Sequence, residues 1–228
     1  MIGVIGAALR LYARHPLLFA LLALAVVAPY ELAVLAITHV PPLGAKHERP
    51  STVLTLGLLD IALVGPLVSA FYVTAVVTIG AGERPRLLDV ARRGLTVLPV
   101  VAAAQIVAGL GIAVGLLAFI IPGIVLVVRL AVVAQAAAIE RTDWIGALRR
   151  SWLLTRGNFV HVFAVVLGAG AVGLALAAAG GALAGTTRRA PDVALGIAVV
   201  TLARSFDAML TAVLYFDLVA RQRLSVSS

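Results

Sequence analysis

Six apolar runs, each close to the twenty or so residues a helix needs to cross a hydrocarbon layer, follow one another along the chain and leave it little choice of fold. They cover about Leu17 to Val40, Thr52 to Ile79, Leu98 to Ile120, Ile124 to Ile139, Phe159 to Ala184 and Val193 to Val219. At 62% apolar and 12% charged, the 228 residues hold too little polar surface to coat a water-soluble globule. The expected fold is all-α, a polytopic membrane bundle of about six transmembrane helices forming one domain over 1–228. Six crossings leave only short connections and no room for a separate catalytic domain. A cleaved leader is not expected either, because the first run exceeds a signal-peptide core and lacks a clear small-x-small exit.

Between the runs lie short basic segments. Ile2 to Arg14 sets Ala8, Leu9 and Tyr12 against Arg10 and Arg14, and reads as an interfacial helix ended by His15-Pro16. In GERPRLLDVARRGL, Leu87, Leu88, Val90, Ala91 and Leu95 share one helical face while Arg86, Asp89, Arg92 and Arg93 take the other, the pattern of a helix lying on a membrane. A second in-plane helix is expected at about Asp143 to Arg156, with Trp144, Ile145, Leu148 and Trp152 toward lipid and Arg149, Arg150 and Arg156 facing out. Arg92, Arg93, Arg149, Arg150, Trp144 and Trp152 are therefore the candidate contacts to lipid headgroups. A tight turn at Pro122-Gly123 joins the third crossing to the fourth.

The same parts recur. Glu83-Arg84 and Arg92-Arg93 return as Glu140-Arg141 and Arg149-Arg150 at equal separation, and Ile5-Gly6-Ala7 with Arg10 matches Ile145-Gly146-Ala147 with Arg150. The apparent unit is an in-plane helix followed by a helical hairpin, repeated three times.

With the N-terminus inside, twelve arginines fall on the cytoplasmic face and four basic residues (Lys46, Arg49, Arg188, Arg189) outside, while Arg129 and Arg204 lie within the membrane. That bias favours cytoplasmic termini in a bacterial plasma membrane. The net charge of +8 comes in short clusters, so anionic lipid headgroups are the expected partners and nucleic acid is not.

Five ionisable residues sit inside the runs: Glu31, Asp60, Arg129, Arg204 and Asp207. An Asp or Arg at a helix centre costs about 2.5 to 3.5 kcal/mol on insertion scales, so each needs a partner or water. Counted from the outer helix ends, their depths overlap near the outer half and midplane, which allows one shared polar layer. It reads either as an internal salt-bridge set fixing helix register or as a site for an anion, a lipid headgroup or a translocated ion. Asp217 and Arg221, four apart, read as an ordinary interfacial pair. Gly173, Ala177, Gly181 and Gly185, with Gly111 and Gly115, form small stripes suited to close helix packing or, secondarily, to dimerisation.

Zero cysteine excludes disulfides, thiolate metal sites and a cysteine nucleophile. His15, His39, His47 and His161 show no paired metal spacing, and neither a nucleophile elbow nor a phosphate loop occurs. No enzymatic activity, cofactor or metal is expected; an intramembrane hydrolase using Glu31 and Asp60 would still lack a nucleophile or a metal.

The run IPGIVLVVRLAVVAQAAAIE, then DWIGALRRSWLLTRGNF, then LYFDLVARQR resembles the membrane domain that accompanies some bacterial glycerophosphoryl diester phosphodiesterases, and related stand-alone multi-pass proteins. Pro122-Gly123, Arg129, Glu140, Ala147-Leu148, Ser151-Trp152, Leu154-Thr155, Gly157, Phe159, Tyr215-Phe216-Asp217-Leu218 and Arg221 occupy the places of that family's pattern. The diesterase activity belongs to a soluble barrel that these residues cannot build. The resemblance instead implies a non-enzymatic domain that organises or accommodates lipids or lipid-derived phosphodiesters, or anchors a partner protein. A homo-oligomer is a further possible assembly. The competing expectation is a small transporter or channel using the intramembrane Arg/Asp/Glu cluster.

Overall fold

The computed structural model describes residues 2–39, 41–42, 49–83, 85–140, 142–184 and 189–226. Lys46, His47, Arg84, Arg141, Gly185 and Arg188 lie outside them. The described residues form helices only: α1 Ile2–Arg14, α2 Pro16–Thr38, α3 Pro50–Leu59, α4 Gly65–Gly80, α5 Leu87–Ala118, α6 Ile120–Arg129, α7 Val133–Glu140, α8 Trp144–Thr155, α9 Phe159–Ala184 and α10 Ala190–Val226. Six stretches are long and apolar enough to cross a membrane: Pro16–Thr38, Thr55–Gly80, Leu87–Ala118, Ile120–Glu140, Phe159–Leu183 and Ala190–Leu224. The chain is thus the all-α membrane bundle that its apolar runs predict.

The core lies where α4, α7 and α10 meet. Val133 to Ala137 of α7 are all buried, as are Ala70, Tyr72 and Ala75 of α4 and Leu210, Leu214 and Leu218 of α10. Tyr72 pins three helices at once: its hydroxyl donates to the Phe19 carbonyl of α2 at 2.7 Å and meets Ser205 Oγ of α10 at 2.5 Å. By contrast Leu17, Ile37, Leu117, Ile121 and Leu183 are each at least three-quarters exposed. In water such a rim would drive association; around a membrane bundle it is the surface offered to acyl chains.

Three boundaries differ from the sequence expectation. The basic segment around Leu87 to Leu95 is not a separate in-plane helix but the first turns of α5, which runs unbroken to Ala118 with Pro99 inside it. Burial explains this: Val90 and Gly94 are buried, and Gly94 lies so close to the Phe71 ring of α4 that a Cβ would stand 2.5 Å from it. Nor does Pro122-Gly123 make the turn. The reversal occurs at Phe119, whose backbone is extended (φ −159°, ψ 141°), and Pro122-Gly123 fall in the first turn of α6. There Pro122 gives up an N–H that has no intrahelical partner at a helix start, and Gly123 lets α6 cross α5 against Leu116 and Gly115.

The fourth crossing, finally, is broken between α6 and α7. The Arg129 carbonyl, which would bond the Val133 amide in a continuous helix, accepts Ser151 Oγ at 2.8 Å and Thr155 Oγ1 at 3.4 Å from α8, and the Val133 amide bonds Leu130 instead. Hydroxyls inserted into the ladder are a recognised cause of such breaks. α8 itself starts where expected, its N-terminus capped by Asp143 Oδ1 accepting from the Gly146 amide at 3.0 Å. It ends at Gly157, whose φ of +87° explains the glycine in LTRGNF.

Candidate functional site

Pro66 shapes the polar layer. Lacking an N–H, it cannot bond the carbonyl four residues back, and the helix relaxes into a π turn over Asp60–Val64 in which the Gly65 amide reaches Asp60 O. That turn joins α3 to α4 and presents Asp60 to Arg204 of α10, Nη2 to Oδ2 2.5 Å. The pair is not sealed: the Asp60 side chain keeps 21% and Arg204 37% of its surface accessible. Glu31, on α2, lies within electrostatic reach of both.

The pair opens on a cavity of about 450 Å³ between α4, α5, α7 and α10. Asp207 faces the same space, together with Ser69, Gln105 and the apolar side chains of Ile112, Leu116 and Val133. Gln105 Nε2 donates to Ser69 Oγ at 3.3 Å, while Gln105 Oε1 is buried with no donor. The Asp207 carboxylate takes part in no hydrogen bond or ion pair among the described residues.

Arg129 does not join this layer. Its guanidinium lies over the Trp152 ring at 5.2 Å and the Phe159 ring at 5.8 Å, on the side of α8 and the start of α9. Nε and Nη1 are buried there without an acceptor among the described residues, so attraction to the two ring faces is its observed compensation. The predicted five-residue cluster is therefore four: Glu31, Asp60, Arg204 and Asp207.

At the other candidate surface the arginines divide. Arg93 Nη1 meets Glu83 Oε2 at 3.3 Å, and Arg150 Nε meets Glu140 Oε1 at 2.6 Å. The two pairs span ten residues each, so the recurrence seen in the sequence is a recurrence of structure between these two units. Arg150 does not face out as predicted. It also donates to Gln222 Oε1 at 2.8 Å, and Tyr215 Oη donates to the same Glu140 oxygen at 2.7 Å. Arg92 and Arg149 are exposed and make no ion pair among the described residues, and Trp144 and Trp152 are exposed as well. Leu148, expected toward lipid, packs on the core. Below Arg93 a cleft of about 280 Å³ opens between α4, α5 and α7, lined by Thr74, Thr78, Thr96 and Ile139. Nearby, Asp217 pairs with Arg221 at 2.7 Å, as their spacing predicts, and also with His161 Nε2 at 3.0 Å. Among the described residues no three His, Asp or Glu side chains converge to hold a metal ion.

A family model described as a domain of unknown function, DUF7847, matches residues 50–220, well over half of the chain. The chain belongs to the DUF7847 family. No curated protein and no solved structure matches it. The DUF7847 region runs from α3 into α10 and contains the π turn, the Asp60–Arg204 pair, Asp207 and both Glu–Arg pairs, whereas Glu31 lies outside it.

Some site residues escape a search for charge. Ser69, Gln105, Gln135 and Thr211 are neutral, yet Gln105 lines the cavity and Gln135 Nε2 bonds Thr211 Oγ1 at 2.9 Å. An amide inside an apolar run is the signal that would have found them. The glycine stripe on α9 departs from the packing expected of it: Gly173 and Gly181 have open space where a Cβ would stand.

Proposed function

We propose that this chain is a non-enzymatic, multi-pass protein of a bacterial plasma membrane, with both termini cytoplasmic, that accommodates the headgroups of lipids or lipid-derived phosphodiesters at its basic face. The likeness of its motifs to the membrane domain of glycerophosphoryl diester phosphodiesterases belongs to this proposal, as the reason for naming a phosphodiester. The observation that carries the reading is the cleft beneath Arg93.

Arg93 is held by Glu83 through one 3.3 Å contact, with the two side chains 60% and 56% exposed. Such a pair contributes about 0 to 1 kcal/mol, so a phosphodiester oxygen can replace the carboxylate at little cost. The threonine hydroxyls donate to backbone carbonyls (Thr74 to Ala70, Thr78 to Thr74, Thr96 to Arg93), which leaves their lone pairs to accept from the hydroxyls of a glycerol headgroup. Arg92 and Arg149 add attraction to an anionic leaflet, about 1 kcal/mol per cation near the surface. Trp144 and Trp152 hold the face at headgroup depth.

The test is lipid retention. Protein purified from membranes is reconstituted in nanodiscs of mixed phosphatidylglycerol and phosphatidylcholine, and the bound lipid is counted by native mass spectrometry. Arg93→Gln combined with Thr96→Val should lose phosphatidylglycerol preference several-fold, while Arg156→Gln, at an exposed site away from the cleft, should keep it. Equal retention by both variants would remove the cleft from the account.

A further inference from the structure

With Arg129 turned away toward Trp152 and Phe159, the negative excess of the intramembrane layer grows. Three carboxylates, Glu31, Asp60 and Asp207, now face one guanidinium, which is ion-paired with Asp60 while its field also reaches Glu31 and Asp207. Asp207 stands near the midpoint of the 37-residue α10, at a depth where an unpaired carboxylate is costly. It also borders two cavities. Besides the 450 Å³ space it shares with the Asp60–Arg204 pair, it borders a second of about 230 Å³, lined by Ile112, Val127, Leu130, Val165 and Thr211. Ile112 and Leu130 belong to both, so Asp207, itself an exposed residue, sits at the waist of one open apolar slot.

From this geometry we infer that the slot is a binding site for a small organic cation, a primary ammonium with a hydrocarbon body, held by Asp207. Three features select that class. Excess negative charge disfavours an anion and favours a cation. The walls are mostly hydrocarbon, and no three His, Asp or Glu side chains converge among the described residues, so a multivalent metal ion would lack the charged ligands it needs. The size falls in the range of about 300 to 1,000 Å³ typical of sites that engulf a small molecule, with few polar groups fixing its orientation. Here those groups are the Asp207 carboxylate and the unused acceptor Gln105 Oε1, while the Asp60–Arg204 pair, neutral as a unit, forms the wall. The inference does not rest on the lipid reading, whose cleft uses other residues.

The experiment uses the full chain in phosphatidylcholine nanodiscs, titrated with n-hexylammonium by calorimetry against empty discs, with hexanoate and sodium as comparison ions. Saturable hexylammonium binding is expected, unaffected by equimolar hexanoate. Asp207→Asn should weaken it about tenfold or more, the order expected for one charge-assisted hydrogen bond. Ile112→Trp, which fills the slot and leaves the carboxylate in place, should weaken it comparably. Arg93→Gln should leave it unchanged, which separates this site from the lipid cleft. Hexylammonium that only partitions into empty discs, equal binding by Asp207→Asn, or competition by hexanoate would overturn the proposal. So would an Asp207→Asn protein that fails to fold, since that would assign the carboxylate to the field of Arg204 and not to a ligand.

Discussion

Asp60 and Arg204 carry opposite charges into a region where either alone is expensive, so their effect on stability is asymmetric. Asp60→Asn leaves the guanidinium without its counter-ion. A fully buried pair broken this way loses about 3 to 5 kcal/mol, but Arg204 is 37% exposed, and about 2 to 3 kcal/mol is the expected loss. Removing both charges, as Asp60→Leu with Arg204→Met, should recover most of it, because the desolvation of two ions disappears with their attraction. Unfolding in mixed micelles by titrated sodium dodecyl sulfate measures the difference; a double variant less stable than Asp60→Asn would contradict the argument. These two residues were legible in the sequence as charges needing a partner, and depth along the helices correctly allowed them to meet. Depth alone misplaced Arg129, because helical residues at one level point in different directions: Leu130 and Val133 face the cavity while Arg129 faces Trp152.

The number and order of the crossings were readable from the apolar runs because hydrocarbon demands a satisfied backbone and helices supply it locally. Where a helix bends or ends depends on what touches it, and a single sequence does not display that. The π turn at Asp60–Val64 follows from Pro66, a local cause that can be read in retrospect, whereas the break after Arg129 depends on two hydroxyls arriving from α8. Pro122-Gly123 misled for a related reason. Proline and glycine together suggest a turn, but here glycine serves the crossing of α5 and α6, with a Cβ at Gly115 only 3.2 Å from the Gly123 Cα. Gly123→Ala should therefore push these two helices apart and cost about 1 to 3 kcal/mol. Gly168→Ala, where a Cβ meets nothing within 4 Å, should be near neutral or slightly stabilising. Thermal unfolding of the two variants in the same detergent decides the point, and equal behaviour would mean that the α5–α6 approach is looser than described.

At the scale of the whole molecule, six helices long and apolar enough to cross would, if each crosses, return the chain to the face from which it set out. Contacts sort the two ends of α10: Arg150 of α8 bonds Gln222 near one end, and at the other Pro42, after α2, packs on the bare face of Gly196. Which face is cytoplasmic rests on the arginine bias, a kinetic rule of insertion that leaves no mark on the packing itself. The absence of cysteine makes it directly measurable, because any cysteine introduced is the only one present. Arg149→Cys and Arg49→Cys are both at exposed positions, one beside the Glu140–Arg150 pair and one just before α3. A membrane-impermeant maleimide should label Arg49→Cys in intact cells and Arg149→Cys only in inverted vesicles. Labelling of both from one side would break the six-crossing arrangement. The reverse pattern would keep the fold and turn the basic face toward the outer leaflet, where Arg92, Arg93 and Arg149 would meet a different set of headgroups from those proposed for the cleft.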